Sequence, residues 1–264
     1  MEQIKRCFLS DIGPGFLPEA VGVGPRRIVG MVVPHAGYVY SGPVAAHAYA
    51  ELSRDGTPET FVLIGPNHTG IGALAAIMTG GEWETPLSSV PVHEELAKKI
   101  LEASSLLEQD AMAFVEEHSL EVQLPFLQFV YGEKVSIVPI LLLMQNLAVC
   151  RDLGNAIAQS VKELGVDAVI LASSDFTHYA PHDYAKAKDE SAIKLIAELK
   201  PEEFLNKVSE ENLSICGAAP IAAMLFASLA LGAKRARLLK YATSGDVTGD
   251  YASVVGYASI AVEK

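Results

Sequence analysis

The chain has 264 residues, of which 50% are hydrophobic and 20% are charged, and its formal net charge is −12. These proportions are typical of a folded domain with a sizeable core and exclude global disorder. No block of lysine and arginine stands out, which argues against binding to nucleic acid or to an anionic membrane.

The start of the chain shows no secretory signal, and the apolar run over 135–143 is too short to cross a bilayer. The three cysteines, Cys7, Cys150 and Cys216, have no CxxC spacing and no even framework. We therefore expect a cytoplasmic protein with reduced thiols.

Apolar runs and helical patterns alternate along the first half of the chain. Residues 28–33 form a nearly unbroken apolar run, as expected of a strand that is covered on both faces. Ser41 and Pro43 suit the start of a helix that continues over 44–52. The remaining elements of this half are strands over 60–64 and 73–78 and helices over 92–103 and 116–129, the last ending near Gly132.

The same alternation continues in the second half and defines the fold class. The expected elements are a strand over 135–142, a helix over 147–164 closed by Gly165, a strand over 168–172, helices over 184–199 and 201–208, a buried helix over 218–231, and strands over 237–243 and 253–262. No linker or repeat divides the chain. We predict one α/β domain over residues 1–264, with a largely parallel or mixed central sheet and helices on both faces.

Two histidines follow apolar strands at points where a proline ends the strand. His35 follows Pro34, and His68 follows Pro66 and Asn67. Open α/β sheets bind their ligands at the carboxyl ends of strands, and histidine is the commonest metal ligand. The alternative is that both are packed, hydrogen-bonded loop histidines.

Asp175 and His178 come directly after the predicted strand over 168–172. Their spacing of three would place both on one side of a helical turn, where a carboxylate can orient an imidazole that acts as a general base or metal ligand. The alternative is equally simple, because Ser173, Ser174 and Asp175 are all good helix caps.

Cys216 stands at the start of the buried helix over 218–231. A thiol at a helix N-terminus has a lowered pKa and can serve as a thiolate ligand or a nucleophile. The alternative is a simply buried cysteine, which is how we interpret Cys7 and Cys150.

Further polar residues could support such a site or contact a substrate. His118 and Glu121 are three residues apart within the predicted helix over 116–129, although a solvated helix face explains them equally well. Tyr38 could line a pocket or pack in the core, and Asn67 lies beside His68. The motifs GxGxxG, GxSxG, HExxH and the P-loop are absent, which argues against nucleotide binding and ordinary serine or zinc-protease chemistry.

Six motifs in order resemble the Memo family, the MEMO1-like proteins. They are PHAGYVYSGPVAAHAY (34–49), IGPNHTG (64–70), EHSLEVQLPFLQ (117–128), SSDFTHY (173–179), CGAAPI (216–221) and GDYASVVGYASI (249–260). The resemblance implies a fold similar to that of class III extradiol ring-cleavage dioxygenases, which hold non-haem Fe(II) with two histidines and one carboxylate. The segment over 7–24 departs from the family pattern.

The resemblance also implies roles for individual residues. His35 and His68 would be metal ligands, and Cys216 would occupy the position of the dioxygenase carboxylate. His178 would be the acid/base, with Asp175 beside it. A thiolate is softer than a carboxylate, so copper and zinc join Fe(II) as candidate ions.

Two kinds of function stay open from the sequence. One is a redox or dioxygenase-like enzyme that uses iron or copper, with zinc as a further candidate ion. The other is a non-enzymatic module that binds a peptide or a protein in the same cleft. The expected ligand is a small molecule or a peptide, and the family resemblance suggests AMMECR1-like and radical-SAM proteins as partners.

Overall fold

A mixed β-sheet forms the centre of the molecule in the computed structural model, which describes residues 1–264. The strands are β1 (Ile28–Val33), β2 (Thr60–Pro66), β3 (Ala75–Ile77), β4 (Glu82–Glu84), β5 (Ser89–Pro91), β6 (Glu108–Gln109), β7 (Ser136–Leu142), β8 (Ala168–Ser173), β9 (His178–Ala180), β10 (Arg235–Thr243) and β11 (Val254–Glu263). The helices are α1 (Glu2–Leu9), α2 (Gly42–Arg54), α3 (Glu94–Ala103), α4 (Leu124–Tyr131), α5 (Leu147–Leu164), α6 (His182–Ala197), α7 (Pro201–Glu210), α8 (Ala218–Ala230) and α9 (Gly245–Thr248).

The order of the strands brings distant parts of the chain together. The main path is β10-β11-β1-β8-β2-β7-β3-β6, and β9 pairs with β11. The four central strands β1, β8, β2 and β7 are parallel, whereas β11 and β3 join them in antiparallel fashion. The predicted α/β fold with a mixed sheet is therefore confirmed, and the carboxyl ends of the four central strands meet at one edge.

Both faces of the sheet are covered by helices, as predicted. Along β1, Val32 packs into the core under α3 and α5 to α8, whereas its neighbours Met31 and Val33 pack into the core under α1, α2 and α4. Successive side chains of a strand point to opposite faces, so a strand covered on both sides must be apolar throughout. Every residue of β1 is buried.

The predicted helix over 116–129 is wrong in its first half. Residues 115–120 form a loop, a 3-10 turn covers Glu121–Gln123, and α4 begins only at Leu124. Pro125 explains the late start, because proline fits the first turn of a helix but breaks its interior. Glu116 also has a φ of 63°, which a right-handed helix does not allow.

The helical turn expected around Asp175 is also absent. The backbone there is bonded to the last strand instead, since Phe176 N–H donates to the Gly256 carbonyl and Gly256 N–H donates to that of Thr177. His178 then begins the short strand β9.

The sequence analysis did not predict α1, which buries Ile4, Cys7 and Phe8. None of the helices combines the length and the apolar character that a bilayer-spanning segment requires.

Candidate metal centre

His35 lies just beyond the carboxyl end of β1, and its side chain is only 3% exposed. Its backbone N–H donates to Asp175 Oδ1 at 2.9 Å, which ties the β1 exit to the loop after β8. Its Nδ1 lies 2.9 Å from Ser173 Oγ. Burial, followed by the nearby His68 and His118, holds the pKa of His35 well below its usual value, so the ring is neutral.

Hydrogen-bond directions around Ser173 decide which nitrogen of His35 carries the proton. The Ser173 hydroxyl donates to the Ser119 carbonyl at 2.6 Å and accepts from Gln123 Nε2 at 2.9 Å. A hydroxyl has one hydrogen to give, so towards His35 it can only accept, and Nδ1 must be the protonated nitrogen. The lone pair of Nε2 is therefore left free for a metal ion.

The amide of Gln123 is itself oriented by its neighbours. Its Oε1 accepts from the hydroxyl of Tyr49 at 2.6 Å, and its Nε2 donates to the Pro34 carbonyl at 3.1 Å. Gln123 is 1% exposed. A fully buried chain of hydrogen bonds thus runs from Tyr49 through Gln123 and Ser173 to the His35 ring.

His68 occupies the equivalent position after β2 and is oriented by Glu117. The Glu117 carboxylate accepts from His68 N–H at 2.5 Å, from His68 Nδ1 at 3.0 Å and from Ser119 N–H at 2.8 Å. Burial opposes ionisation of this carboxyl, but these hydrogen bonds outweigh it and lower the pKa of Glu117 to about 2. Nδ1 of His68 is committed to Glu117, which leaves Nε2 for a ligand.

Asn67 shapes the loop that presents His68. Its Oδ1 accepts from the N–H groups of Thr69 and Gly70, and its Nδ2 donates to the Ile71 carbonyl. This is an Asx turn, and it closes the loop on itself. Asn67 therefore uses its polar atoms within the loop rather than offering them to a substrate.

Cys216 approaches the two histidines from the N-terminus of α8. Its Sγ lies 3.3 Å from His35 Nε2 and accepts from Asp175 N–H, also at 3.3 Å. The approach depends on Gly217, where a Cβ would lie 2.4 Å from the Ser173 carbonyl oxygen. The predicted lowering of the thiol pKa is wrong, since burial and the Asp175 carboxylate raise the pKa of Cys216 to about 12. Coordination to a metal ion is what converts such a thiol to a thiolate.

Three potential ligand atoms therefore converge at the carboxyl edge of the sheet. One atom each from His35, His68 and Cys216 lies within 4.8 Å of the other two. Both imidazoles have Nδ1 held by a neighbour and Nε2 free, which is the usual arrangement of metal-binding histidines. The residues present fit a transition metal that accepts two nitrogens and one sulfur.

Comparison with known proteins assigns the chain to a family. The model of the family described as "Memo-like protein" matches residues 1–261. The chain belongs to the Memo family. A MEMO1 family protein of Methanopyrus kandleri is 49% identical, with 98% of this chain and 91% of that protein covered. One from Methanothermobacter thermautotrophicus is 48% identical, with 98% and 92% covered.

A solved structure shows the same fold at much lower sequence identity. It is the crystal structure of an uncharacterized protein of Escherichia coli K12, with a TM-score of 0.62 and 15% identity. The match covers 89% of this chain and all of the other. The likeness supports the α/β architecture of this Memo-family chain.

A second group of possible ligands overlaps the first. His68, Glu117 and His118 also offer atoms within 4.8 Å of one another. Glu117 is already committed to three N–H groups, so it serves to orient His68. His118 is exposed and stacks on His68 with 5.1 Å between ring centroids, and its ring is edge-on to His35 at 5.6 Å. His118 therefore covers the open side of the two histidines.

The structure places His178 and Asp175 in different roles. Nδ1 of His178 lies 2.8 Å from the Ser214 carbonyl, and a carbonyl only accepts, so Nε2 of His178 carries the free lone pair. Asp175 is 4% exposed and binds the backbone N–H groups of His35 and Ala36. No hydrogen bond joins Asp175 to His178. Asp175 thus fixes the backbone that follows β1, whereas the Ser214 carbonyl orients the ring of His178.

Two other predicted residues lie farther from the ligand atoms. The hydroxyl of Tyr38 donates to the Val122 carbonyl at 2.9 Å and so supports the 3-10 turn before α4. Glu121 is exposed and lines a neighbouring cleft together with Glu117. The sequence analysis assigned no role to Glu117 or Gln123 and considered Ser173 only as a helix cap. Ser173 could have been found from its position, because it is a polar residue at the end of a buried apolar strand.

Replacing Glu117 with glutamine is expected to weaken metal binding about 10- to 100-fold, because supporting groups of this kind fix the orientation of the ligand imidazole. A glutamine amide has only one acceptor oxygen for three N–H donors. The measurement is competitive titration of metal against a chelator. Glu121→Gln is the matched control, since Glu121 is exposed and hydrogen-bonds to neither His35 nor His68. Equal affinity of wild type and Glu117→Gln would contradict the assigned role.

Proposed function

We propose that this Memo-family chain binds one redox-active metal ion, iron(II) or copper, through His35, His68 and Cys216. We propose further that it uses the ion, with dioxygen as the oxidant, to oxidise a small molecule in the cleft at the carboxyl edge of the sheet. The observation that carries the proposal is the convergence of two imidazoles, each with Nδ1 occupied by a supporting residue, on one thiol.

The donor set favours particular ions. Two borderline imidazoles and one soft thiolate suit copper, iron and zinc, whereas calcium and magnesium prefer oxygen. Three protein ligands leave at least one coordination position for a substrate, as in catalytic rather than structural sites. Zinc would supply Lewis-acid chemistry in the same place, so identification of the ion separates the two chemistries.

The chain's own residues would bind and orient the ion and move protons near it. When bound, iron or copper would supply electron transfer from the substrate to dioxygen. His35 and Asp175 are buried, so this side of the cleft excludes water. His178 has a free lone pair at Nε2 and is partly exposed, so it can accept a proton from a ligand.

A second candidate function rests on a different observation. Tyr40, Tyr179 and Tyr251 are exposed by 45%, 81% and 49%. Exposed tyrosines are enriched in protein interfaces, so this surface could bind a peptide or a protein partner. AMMECR1-like and radical-SAM proteins are our proposed partners. Tyr179→Ala should then abolish comigration with the purified partner in size-exclusion chromatography and leave metal content unchanged.

Metal analysis of the purified protein tests the first proposal. We expect near-stoichiometric iron or copper in protein purified anaerobically without an affinity tag. In the Cys216→Ser and His35→Ala variants the metal content should fall by about tenfold or more, because loss of a ligand lowers metal affinity more than loss of a supporting residue does. Metal content is measured by elemental mass spectrometry.

His93→Asn provides the control for this experiment. His93 caps α3 by accepting from Leu96 N–H, and asparagine caps helices equally well. This variant should keep the wild-type metal content. Wild-type protein that takes up neither iron nor copper on titration would refute the proposal, as would full metal retention by both ligand variants.

A further inference from the structure

We propose that a cavity beside the metal centre binds an uncharged aromatic amide, whose carbonyl oxygen accepts a hydrogen bond from the hydroxyl of Tyr257. The inference rests on the proposed function in one respect, namely that this ligand is the molecule that the metal centre oxidises. Binding itself is measured separately from metal content.

The cavity adjoins the candidate metal centre. It has a volume of about 400 Å³, within the usual range for small-molecule sites. Ala36, the neighbour of His35, forms part of its wall, as does Tyr179, the neighbour of His178. His35 and His178 do not line the cavity themselves, so a ligand there would lie beside the two segments that carry them.

Tyr257 is the residue that points to a ligand. Its side chain lines the cavity and is only 2% exposed, yet its hydroxyl makes no hydrogen bond to the protein. It also differs from the sealed, unpartnered hydroxyl of Tyr131, because the Tyr257 oxygen retains accessible surface. Burial and then the Asp175 carboxylate raise the pKa of Tyr257, so the hydroxyl keeps its proton and can donate it. A hydroxyl that reaches the cavity and has no protein partner is available to donate to a ligand there.

The other lining residues indicate the class of ligand. Tyr40 and Tyr179 are among the lining residues, and aromatic side chains favour contact with a flat ring. Tyr179 is a non-glycine residue with a φ of 58°, a strained conformation of the kind found at functional sites. No lysine or arginine lines the cavity, and Asp250 does. An anionic ligand is thus disfavoured, whereas an amide offers a carbonyl to Tyr257 and an N–H to Asp250.

Benzamide and benzoate form the matched pair of probes, since they have nearly the same shape and differ in charge. Binding is followed by titration calorimetry and by amide shifts in NMR spectra of the full chain. We expect saturable binding of benzamide and at least about tenfold weaker binding of benzoate. Tyr257→Phe should weaken benzamide binding about fivefold, the effect of one neutral hydrogen bond.

Tyr131→Phe is the control variant. Tyr131 packs against Phe61 in the core under α1, α2 and α4, with 5.6 Å between ring centroids, and its hydroxyl is likewise unpartnered. Its removal should leave benzamide binding unchanged. Tyr257→Phe should unfold at the same temperature as wild type, because the lost hydroxyl bonds to no protein group.

Three results would each overturn this inference. They are the absence of saturable benzamide binding, equal affinity of wild type and Tyr257→Phe, and benzoate binding as tight as that of benzamide. Metal content is determined on the same preparations. If the protein binds benzamide but takes up no metal, the metal-centre proposal is refuted and the ligand site is retained. If it takes up metal but does not bind benzamide, the ligand site is refuted and the metal-centre proposal is retained.

Discussion

Replacement of Gln123 by leucine is expected to lower the free energy of unfolding by about 2–4 kcal/mol and to weaken metal binding about 10- to 100-fold. Leucine removes both halves of the amide, so the Tyr49 hydroxyl and the Pro34 carbonyl lose their partner in a dry environment. Ser173 also loses a donor, and its hydroxyl becomes free to rotate towards His35. The tautomer that leaves Nε2 available is then no longer enforced.

Gln128→Leu separates the two effects of this substitution. Gln128 is also buried, at 6% exposure, and its amide donates to Ser88 and accepts from Thr85. It has no connection to His35. Urea unfolding should show a comparable loss of stability in both variants, whereas chelator competition should show weaker metal binding in Gln123→Leu alone. Unchanged metal affinity in Gln123→Leu would show that Gln123 does not support the metal site.

Replacement of Asp189 by alanine is expected to cost about 3–5 kcal/mol of stability, the second large effect. Asp189 is fully buried in α6. Its carboxylate accepts from Thr177 N–H at 3.0 Å, from the Thr177 hydroxyl at 2.7 Å and from the Tyr241 hydroxyl at 2.8 Å. Alanine leaves all three donors unpaired next to His178. Urea unfolding monitored by circular dichroism measures the loss.

Asp189→Asn is the conservative partner of this variant. Asparagine keeps an acceptor for Thr177 and can donate to Tyr241, so it should retain most of the stability. Burial raises the pKa of Asp189, so the folded state holds its proton more tightly than the unfolded state. The stabilisation by Asp189 therefore decreases as the pH rises above its ordinary pKa of 3.8, a dependence that Asn lacks. Equal stability of the Ala and Asn variants at neutral pH would contradict this account.

Local signals were sufficient for many elements of the fold. The predicted bounds of α5 are those of the structure, because the Asn146 side chain caps its start and Gly165 ends it in the left-handed conformation. The apolar runs identified β1 and β8, since strands covered on both faces leave no position for polar residues. The amphipathic spacing of Ile4, Cys7 and Phe8 in α1 is a local signal of a helix as well.

The site was predictable only in part. Strand ends in an open α/β sheet meet at one edge, which is why His35, His68 and Cys216 could be proposed together. The supporting residues act across long separations that no local pattern encodes. Gln123 and Ser173 are 50 residues apart, and Glu117 and His68 are 49 apart. The loop over 115–120 that carries Glu117 also resembled a helix, so its contacts could not be inferred.

The insertion of β8 between β1 and β2 has a consequence for how the molecule folds. The ligand pair His35 and Cys216 is separated by 181 residues of chain, so no small fragment contains the site. Pairing of distant parallel strands is slow because the entropy of loop closure is lost before contacts form. A species that has not yet inserted β8 cannot align these ligands. Any ion they bind therefore stabilises the whole domain by mass action, and its uptake during refolding would report the completion of the sheet.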